Sequence, residues 1–210
     1  VMSEALNNAI HEKGAHGFAA SIGGYKSSFH HNILANCAGR NPSIGGNDQN
    51  HTLWLDFRNC VISNWEHRTC DGKPLSINLV NNYYKPGPAT HADVKRRVAR
   101  IDNSEKLGFS GMWYIEGNVV EGYPEISANN WNGGVDFEEG ASMEKNRKTE
   151  PFKVAPVTTQ SAEEAYQLVL KYAGCYPYRD SQEKRIIEQI RTGKYACTPN
   201  GIVDNVEQVG

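Results

Sequence analysis

Two basic residues, Lys13 and Arg40, stand at a spacing from which they could act together on an anionic group. Lys13 precedes Arg40 by 27 residues, which is also the interval from Asn32 to Asn59. Equal offsets in adjacent repeats predict that the two side chains stack on one edge of a repetitive fold, with a backbone spacing of about 4.8 Å. Two cations placed in this way can neutralise a carboxylate of a ligand.

The histidines that flank Lys13 are further candidates for the same groove. They are His11 and His16, and we take His16 as a candidate substrate-binding residue. A solvated surface lysine at position 13 and structural or solvated imidazoles at positions 11 and 16 are the alternatives.

A repeat of short strands would have to position these residues. An Asn followed by apolar or β-branched residues recurs at Asn32, Asn59, Asn82 and Asn118, at intervals of 27, 23 and 36 residues. Such intervals, without long apolar helices, are typical of solenoids built from strands and turns. Stacked amides can hydrogen-bond along the solenoid axis, so we predict one ladder of these four side chains. Four Asn residues in unrelated surface turns are the alternative.

The strands are expected at six spans that Gly-, Asn- and Pro-rich turns separate. These spans are 1–6, 17–22, 28–35, 52–63, 76–84 and 112–120. The basic run 91–110 is predicted to be a loop, which is either a solvated charged face or a loop beside a cleft that attracts an anionic polymer.

The periodicity changes near residue 157. A capping-box signature at Ser161 and Glu164 opens one amphipathic helix, and a second helix is predicted between Asp180 and Gly193. The apolar face of the first helix is expected to contain Ala165, Leu168, Val169 and Tyr172. The chain is therefore divided into a β region at 1–156 and a helical segment at 157–210 within the same domain.

Length and composition favour one all-β domain with this helical segment. The chain has 210 residues, 39% of them hydrophobic, and a net charge of −2. This balance supplies no basic field for nucleic acid, and no stretch approaches the ~20 apolar residues of a membrane span. Neither nucleic acid nor a membrane is therefore an expected partner.

Five cysteines leave their pairing open. They are Cys37, Cys60, Cys70, Cys175 and Cys197, and none belongs to a CxxC or CxxH pair of the kind that binds zinc. Bridges between Cys60 and Cys70 and between Cys175 and Cys197 are one possibility, and free thiols are the other.

Two segments resemble the pectate lyases. The run HHNILANCAGRNP at 30–42 resembles their active-site segment, and PVTTQSAEEAYQLVLKYAG at 156–174 resembles their C-terminal segment. In that family the C-terminal segment packs against the β-helix, so the resemblance implies that residues 157–210 pack on the β region. The resemblance implies a right-handed parallel β-helix of which the chain is the C-terminal two-thirds or so. It also implies a secreted or periplasmic, monomeric carbon–oxygen lyase that cleaves an acidic plant polysaccharide, polygalacturonate, by β-elimination with calcium as cofactor.

The resemblance assigns roles to individual residues. Arg40, in the R-x-P context, matches the arginine that removes the proton α to the sugar carboxylate, and Lys13 matches a substrate-binding lysine. Calcium would neutralise the carboxylate. Its ligands are expected upstream of Val1, so the chain is expected to be a fragment that is inactive alone, with Glu4 and Asp48 as the nearest acids. The family also carries a basic residue shortly after R-x-P, where residues 43–46 read SIGG.

Three other functions fit parts of the sequence. A pectin lyase would act on methyl-esterified polymer without calcium and would use an aromatic cleft, for which Trp54, Trp65 and Trp113 are available. A non-catalytic, glycan-binding β-helix would explain the missing basic residue after Arg40. A glycoside hydrolase would need paired carboxylates at a cleft edge, and no predicted strand supplies a close Asp pair.

Overall fold

Three parallel β-sheets make up most of the molecule, and the chain contributes strands to them in rotation. The structure is a computed structural model that describes residues 1–45 and 54–209. After the first strand of the chain, consecutive strands belong to the first, second and third sheet in turn, and their pairings are parallel. We call one passage through the three sheets a circuit. The arrangement is compatible with the expected parallel β-helix.

The first sheet contains five short strands of two or three residues each. They are β2 (Ser21–Ile22), β5 (Ser43–Ile44), β8 (Cys70–Gly72), β11 (Ala99–Ile101) and β14 (Val135–Phe137). The second sheet contains β3 (Tyr25–His30), β6 (Trp54–Arg58), β9 (Ser76–Val80) and β12 (Met112–Glu116). The third sheet contains β1 (Met2–Ser3), β4 (Ile33–Ala35), β7 (Val61–Ser63), β10 (Tyr83–Lys85) and β13 (Val119–Val120).

Most of the first sheet was not predicted from the sequence. The four longest predicted spans each contain one strand of the second sheet followed by one strand of the third sheet, whereas β5, β8, β11 and β14 fall outside every predicted span. The basic run 91–110 is not a plain loop, because it contains β11. Two of its arginines also form ion pairs, Arg97 with Asp136 and Arg100 with Asp102.

A two-residue corner joins the second sheet to the third in each of the four described circuits. Its first residue has a left-handed backbone, with φ values of 55°, 50°, 50° and 67° at His31, Asn59, Asn81 and Gly117. Asn and Gly adopt this conformation at lower cost than other residues, which explains their frequency here. The second corner residue comes directly before a strand of the third sheet. The residues at this position are Asn32, Cys60, Asn82 and Asn118.

The predicted amide ladder is correct for the column of Asn82 and Asn118 but wrong for Asn59. The Asn82 side-chain oxygen accepts the Cys60 backbone N–H at 2.9 Å, and the Asn118 side-chain oxygen accepts the Asn82 N–H at 3.0 Å. Cys60, not Asn59, lies in register with Asn32 and meets its backbone nitrogen through sulfur at 3.5 Å. Asn59 occupies the left-handed position beside the ladder, where its amide binds the carbonyl of Asn81 instead.

The interior between the sheets is filled by columns of similar apolar side chains. One column contains Leu55, Ile77 and Trp113, and the next contains Phe57, Leu79 and Ile115. Each of these side chains is at most 1% exposed. Burial of one such side chain contributes roughly 1.5–3 kcal/mol, so the register of the second sheet is fixed by its inward face.

The outer faces of the second and third sheets are covered by the C-terminal part of the chain. The extended segment 148–160 crosses the second sheet, where Asn78 exchanges two hydrogen bonds with the Phe152 backbone. Two helices, α3 (Ala162–Tyr172) and α4 (Ser181–Thr192), cover the third sheet. Their apolar side chains pack against Ile33, Ala35 and Val61.

Both predicted C-terminal helices are confirmed with their caps. Ser161 and Glu164 form the complete capping box, Asp180 caps α4, and Gly193 ends α4 in a left-handed conformation. The predicted apolar face of α3 is correct for Ala165 and Val169 and wrong for Leu168 and Tyr172. These two are 36% and 47% exposed, because the third sheet contacts a face of α3 centred on residues 165, 169 and 170.

The remaining helices are short. They are α1 (Pro124–Ala128), α2 (Met143–Asn146) and the 3₁₀ turns Ala92–Val94, Glu105–Leu107 and Val206–Gln208. Across residues 1–45 and 54–209, no helix has the length and apolar character needed to cross a membrane.

The cysteines are free thiols, so neither of the two possible bridges is present. Cys37, Cys60 and Cys70 are buried, whereas Cys175 is exposed. Burial raises the pKa of the Cys37 thiol to about 11 and that of the Cys60 thiol to about 12. These buried thiols are therefore protonated at neutral pH and act as small core residues.

Candidate functional site

The outer face of the first sheet carries two adjoining clefts. The covering segments described above contact the other two sheets, and the first sheet presents Ser21, Ser43, Asp71, Arg100 and Asp136 in register across successive circuits. One cleft, of about 340 Å³, is lined by Arg40, Lys73 and Asp102 among others. The other, of about 540 Å³, is lined by Lys73, Lys106 and Glu138 among others. Lys73 therefore stands where the two clefts meet.

Arg40 lies at the entrance to the first sheet, three residues before β5. Its backbone has a left-handed φ of 54°, and its carbonyl accepts the Ala20 N–H at 3.0 Å. The buried side chain of Asn41 then ties this connection to the carbonyls of Cys37 and Arg68, at 3.3 and 2.9 Å. The short connection thus holds Arg40 at one end of the smaller cleft.

The Arg40 guanidinium rests on an aromatic ring. Its central carbon lies 4.6 Å from the centroid of Phe18, and one of its nitrogens donates to the Ser21 hydroxyl at 3.3 Å. Arg68 approaches the same ring at 5.0 Å. A cation on an aromatic face is held by about 0.5–2 kcal/mol, so Phe18 restricts where Arg40 can point.

His16 also contacts the Phe18 ring, and Lys13 lies in the turn that follows His11. The His16 ring is 4.1 Å from the Phe18 ring and 4.1 Å from the His11 ring, on which it stacks at 8°. Lys13 is exposed, and its backbone N–H donates to the His11 ring at 3.1 Å. Partial burial, followed by the positive charges of His11, Arg40, Lys13 and Arg68, lowers the pKa of His16. Arg40 and Lys13 are thus both close enough to His16 to act on its charge.

The predicted stacking of Lys13 on Arg40 is wrong. Phe18 pairs with Gly39, which places Ala19 opposite Arg40 in the neighbouring circuit. The reason is that residues 4–20 form a long connection between the third and first sheets, while the next connection spans only 36–42. Equal sequence offset therefore does not mean equal position. The structure brings Arg40 and His16 together through Phe18 and leaves Lys13 in the exposed turn that follows His11.

Acidic residues also line this face, which the sequence analysis missed. Asp102 lines the smaller cleft, and its pKa is raised by partial burial and then by the charge of Asp71. Asp71 is 3% exposed and lies 2.9 Å from the Arg68 guanidinium. Its second oxygen has no hydrogen bond to any residue in the described part of the chain. Asp71 and Asp102 thus interact through their charges, and both lie outside the strands predicted from the sequence.

Gly72 is a buried residue of β8 that also lines the smaller cleft. A Cβ at this position would come within 2.5 Å of the Ile44 carbonyl oxygen, and its φ of 127° is itself unfavourable for other residues. Glycine at position 72 therefore allows β8 to lie close to β5 beside the cleft.

Lys73, Asp102 and Phe18 were not predicted. Lys73 is recognisable only once Ile44 is known to pair with Gly72, because that register puts Lys73 one circuit above Gly45. Phe18 had a visible sequence feature, since it follows two candidate residues at positions 13 and 16, but no local pattern indicates that its ring carries Arg40.

Glu4, one of the two acids nearest to the expected calcium ligands, belongs to no metal-binding cluster among the described residues. Glu4 is ion-paired with Arg185, and Asp48 lies outside the described residues. In the chain as described, no group of three or more His, Cys, Asp or Glu side chains could hold a metal ion. We therefore derive no chemical step through calcium.

The tryptophans considered for an aromatic cleft lie elsewhere. Trp65 and Trp113 are fully buried. Trp54 lies on the second sheet beside Phe152.

Comparisons with known proteins give no assignment. No protein-family model matches the chain, and no curated protein matches it.

Proposed function

We propose that the chain forms a right-handed parallel β-helix and acts as a polysaccharide lyase that cleaves polygalacturonate by β-elimination. One observation carries the proposal. Arg40 is fixed at the end of an open cleft on the outer face of the first sheet, and it forms no ion pair with any described carboxylate. The arginines at 68, 97 and 100 on the same face are all paired.

The proposed reaction removes the proton on C5 of a galacturonate residue. Arg40, as a neutral guanidine, takes this proton, and the electron pair forms the C4–C5 double bond. The bond from C4 to the linking oxygen breaks, the oxygen leaves with the bonding pair, and it takes a proton from solvent to become a hydroxyl. The Arg68 guanidinium lies against the same Phe18 ring as Arg40. Cations near the cleft neutralise the sugar carboxylate while charge develops.

The predicted substrate-binding residues have separate places in this proposal. His16 supports Phe18 and thereby Arg40, and Lys13 adds positive charge at the same end of the face. Calcium remains an expectation from the resemblance to pectate lyases, as do the acidic plant polysaccharide, secretion and a monomeric state.

The test follows the double bond. Elimination gives an unsaturated product whose conjugated carboxylate absorbs in the ultraviolet, whereas hydrolysis gives none. We expect the full-length protein to produce this absorbance on polygalacturonate with calcium and to lose it with a chelator. Arg40→Lys is expected to lose about a thousandfold or more in kcat, because general-base catalysis contributes on that scale.

The matched control for this test is Arg96→Lys, which makes the same change at an exposed position. It should leave turnover unchanged. Normal turnover by Arg40→Lys would remove Arg40 from the proposed chemistry.

A second candidate function is glycoside hydrolysis. Asp102 and Asp71 interact on the cleft face and differ in environment, since the pKa of Asp102 is raised while Asp71 is paired with Arg68. Two carboxylates with different environments are the usual acid and base of such enzymes. New reducing ends without ultraviolet absorbance would favour this function, and binding without either product would favour a non-catalytic glycan-binding protein.

A further inference from the structure

Lys73 occupies a distinctive place among the cations of the first sheet. It lines the smaller cleft with Arg40 and also lines the larger cleft with Lys106. A linear ligand that extends from Arg40 into the larger cleft would have to pass this side chain.

The charge of Lys73 is available to a ligand. Among the residues that the structure describes, Lys73 has no carboxylate within ion-pair distance, while Arg68 and Arg100 beside it are held by Asp71 and Asp102. Asp102 interacts with Lys73 through charge, but its larger charge interaction is with Arg100, which lies 3.7 Å away. Glu138 lines the larger cleft with Lys73 and accepts the Asn103 backbone N–H at 2.7 Å. An incoming anion at Lys73 therefore has no ion pair to displace among the described residues.

Uncharged polar groups line the same cleft as Lys73. Ser21 and Ser43 pair in register on β2 and β5, and both line the cleft with Lys73 and Arg40. The Ser21 hydroxyl also accepts from the Arg40 guanidinium at 3.3 Å. A sugar bound in this cleft would therefore find hydroxyl partners as well as the two cations.

We infer that Lys73 binds the free carboxylate of a uronate residue next to the one on which Arg40 acts, and that it gives the cleft its preference for unesterified over methyl-esterified polymer. This inference rests on the proposed function. A methyl ester removes the negative charge and so removes the charge-assisted contact, while the rest of the sugar is unchanged.

The experiment compares two polymers and two readouts. Lys73→Met keeps the length of the side chain without its charge, and we expect it to raise KM for polygalacturonate about tenfold with little change in kcat, since a hydrogen bond to a charged group is worth roughly that factor. KM for highly methyl-esterified pectin should change less than about twofold. Lys73→Arg should restore most of the preference, and Lys194→Met, at an exposed position on the C-terminal segment, should behave as the wild type.

Binding of trigalacturonate, measured by calorimetry, separates this inference from the proposed function. If the wild type cleaves polygalacturonate but Lys73→Met leaves KM, binding and the preference between polymers unchanged, the inference is overturned and the lyase assignment stands. If the wild type cleaves nothing but binds trigalacturonate through Lys73, the lyase assignment is overturned and the carboxylate contact stands. Absence of both cleavage and binding would overturn both.

Discussion

At the corner between the second and third sheets, the buried amides of Asn82 and Asn118 have partners on both their oxygen and their nitrogen. On the outer face of the first sheet, Arg40 and Lys73 have no ion-pair partner among the described residues, although carboxylates are nearby. Polar groups are abundant in both regions. The corner is built for stability, because a buried amide without a hydrogen-bond partner lowers the free energy of unfolding. The cleft instead leaves two positive charges available to a ligand.

The strongest test of this contrast is removal of one ladder amide. Asn118→Ala would leave the Asn82 N–H and the Leu79 carbonyl without their partner inside the core. We expect a loss of roughly 3 kcal/mol in the free energy of unfolding, measured by urea denaturation. Asn132→Ala, at an exposed turn, is the control. Lys73→Met should change stability by less than about 0.5 kcal/mol, and a similar loss in both regions would contradict the contrast.

A second test asks whether the Phe18 ring positions the Arg40 guanidinium in the cleft. Phe18→Leu removes the ring that carries Arg40 and should lower kcat/KM about tenfold, given the usual strength of a cation on an aromatic face. Phe18→Tyr keeps the ring and should retain most activity. A Leu variant as active as the wild type would show that Ser21 alone positions Arg40.

A third test extends the ladder. Cys60 sits in the ladder column below Asn82, and its sulfur is near the Asn32 nitrogen and the Phe29 carbonyl, at 3.5 and 3.8 Å. Phe29 and Phe57 pair in register, and the Phe57 carbonyl accepts from the Asn82 amide. Cys60→Asn should therefore repeat the Asn82 contacts and gain about 1 kcal/mol in unfolding free energy. A loss would mean that the column is too narrow there for an amide.

The smallest effect concerns Asp102 and pH. Partial burial and the Asp71 charge raise its pKa above the ordinary 3.8, so the ionised form is less favourable in the folded than in the unfolded protein. This penalty is absent below the ordinary pKa and fully present above the folded pKa. Asp102→Asn should therefore give a small gain in melting temperature at pH 7 that disappears as the pH falls below about 4. A gain that is equal at both pH values would contradict the assigned cause.

The sequence predicted the parts of the fold that have strong local patterns. The second and third sheets contain runs such as Leu55 to Phe57 and Val61 to Ile62, whose apolar side chains mark them as strands, and the caps at Ser161 and Asp180 are local motifs. The first sheet lacks such patterns. Its strand β8, with the sequence Cys70-Asp71-Gly72, has one apolar residue and no alternation of apolar and polar side chains. It is a strand because it pairs with β5 on one side and β11 on the other.

The candidate site could also be predicted only in part, for the same reason. Arg40 could be singled out because the segment around it is distinctive, but Lys73 and Asp102 join it only through the register of the first sheet. Lys13 is the opposite case. Its interval of 27 residues from Arg40 suggested that the two side chains are neighbours, but the long connection 4–20 places Ala19, not Lys13, opposite Arg40. Pairing register depends on contacts between circuits, which no single segment encodes.

The fixed two-residue corner has a consequence for how such a protein can change. Each described connection from the second to the third sheet has two residues, whereas connections into the first sheet vary from residues 64–69 to residues 4–20. Added or deleted residues at the variable connections leave the ladder in place, so the cleft walls can be lengthened, shortened or exchanged without realigning the strands. Ligand preference can then diversify by loop grafting, in evolution or in the laboratory, while the corner keeps the circuits in step.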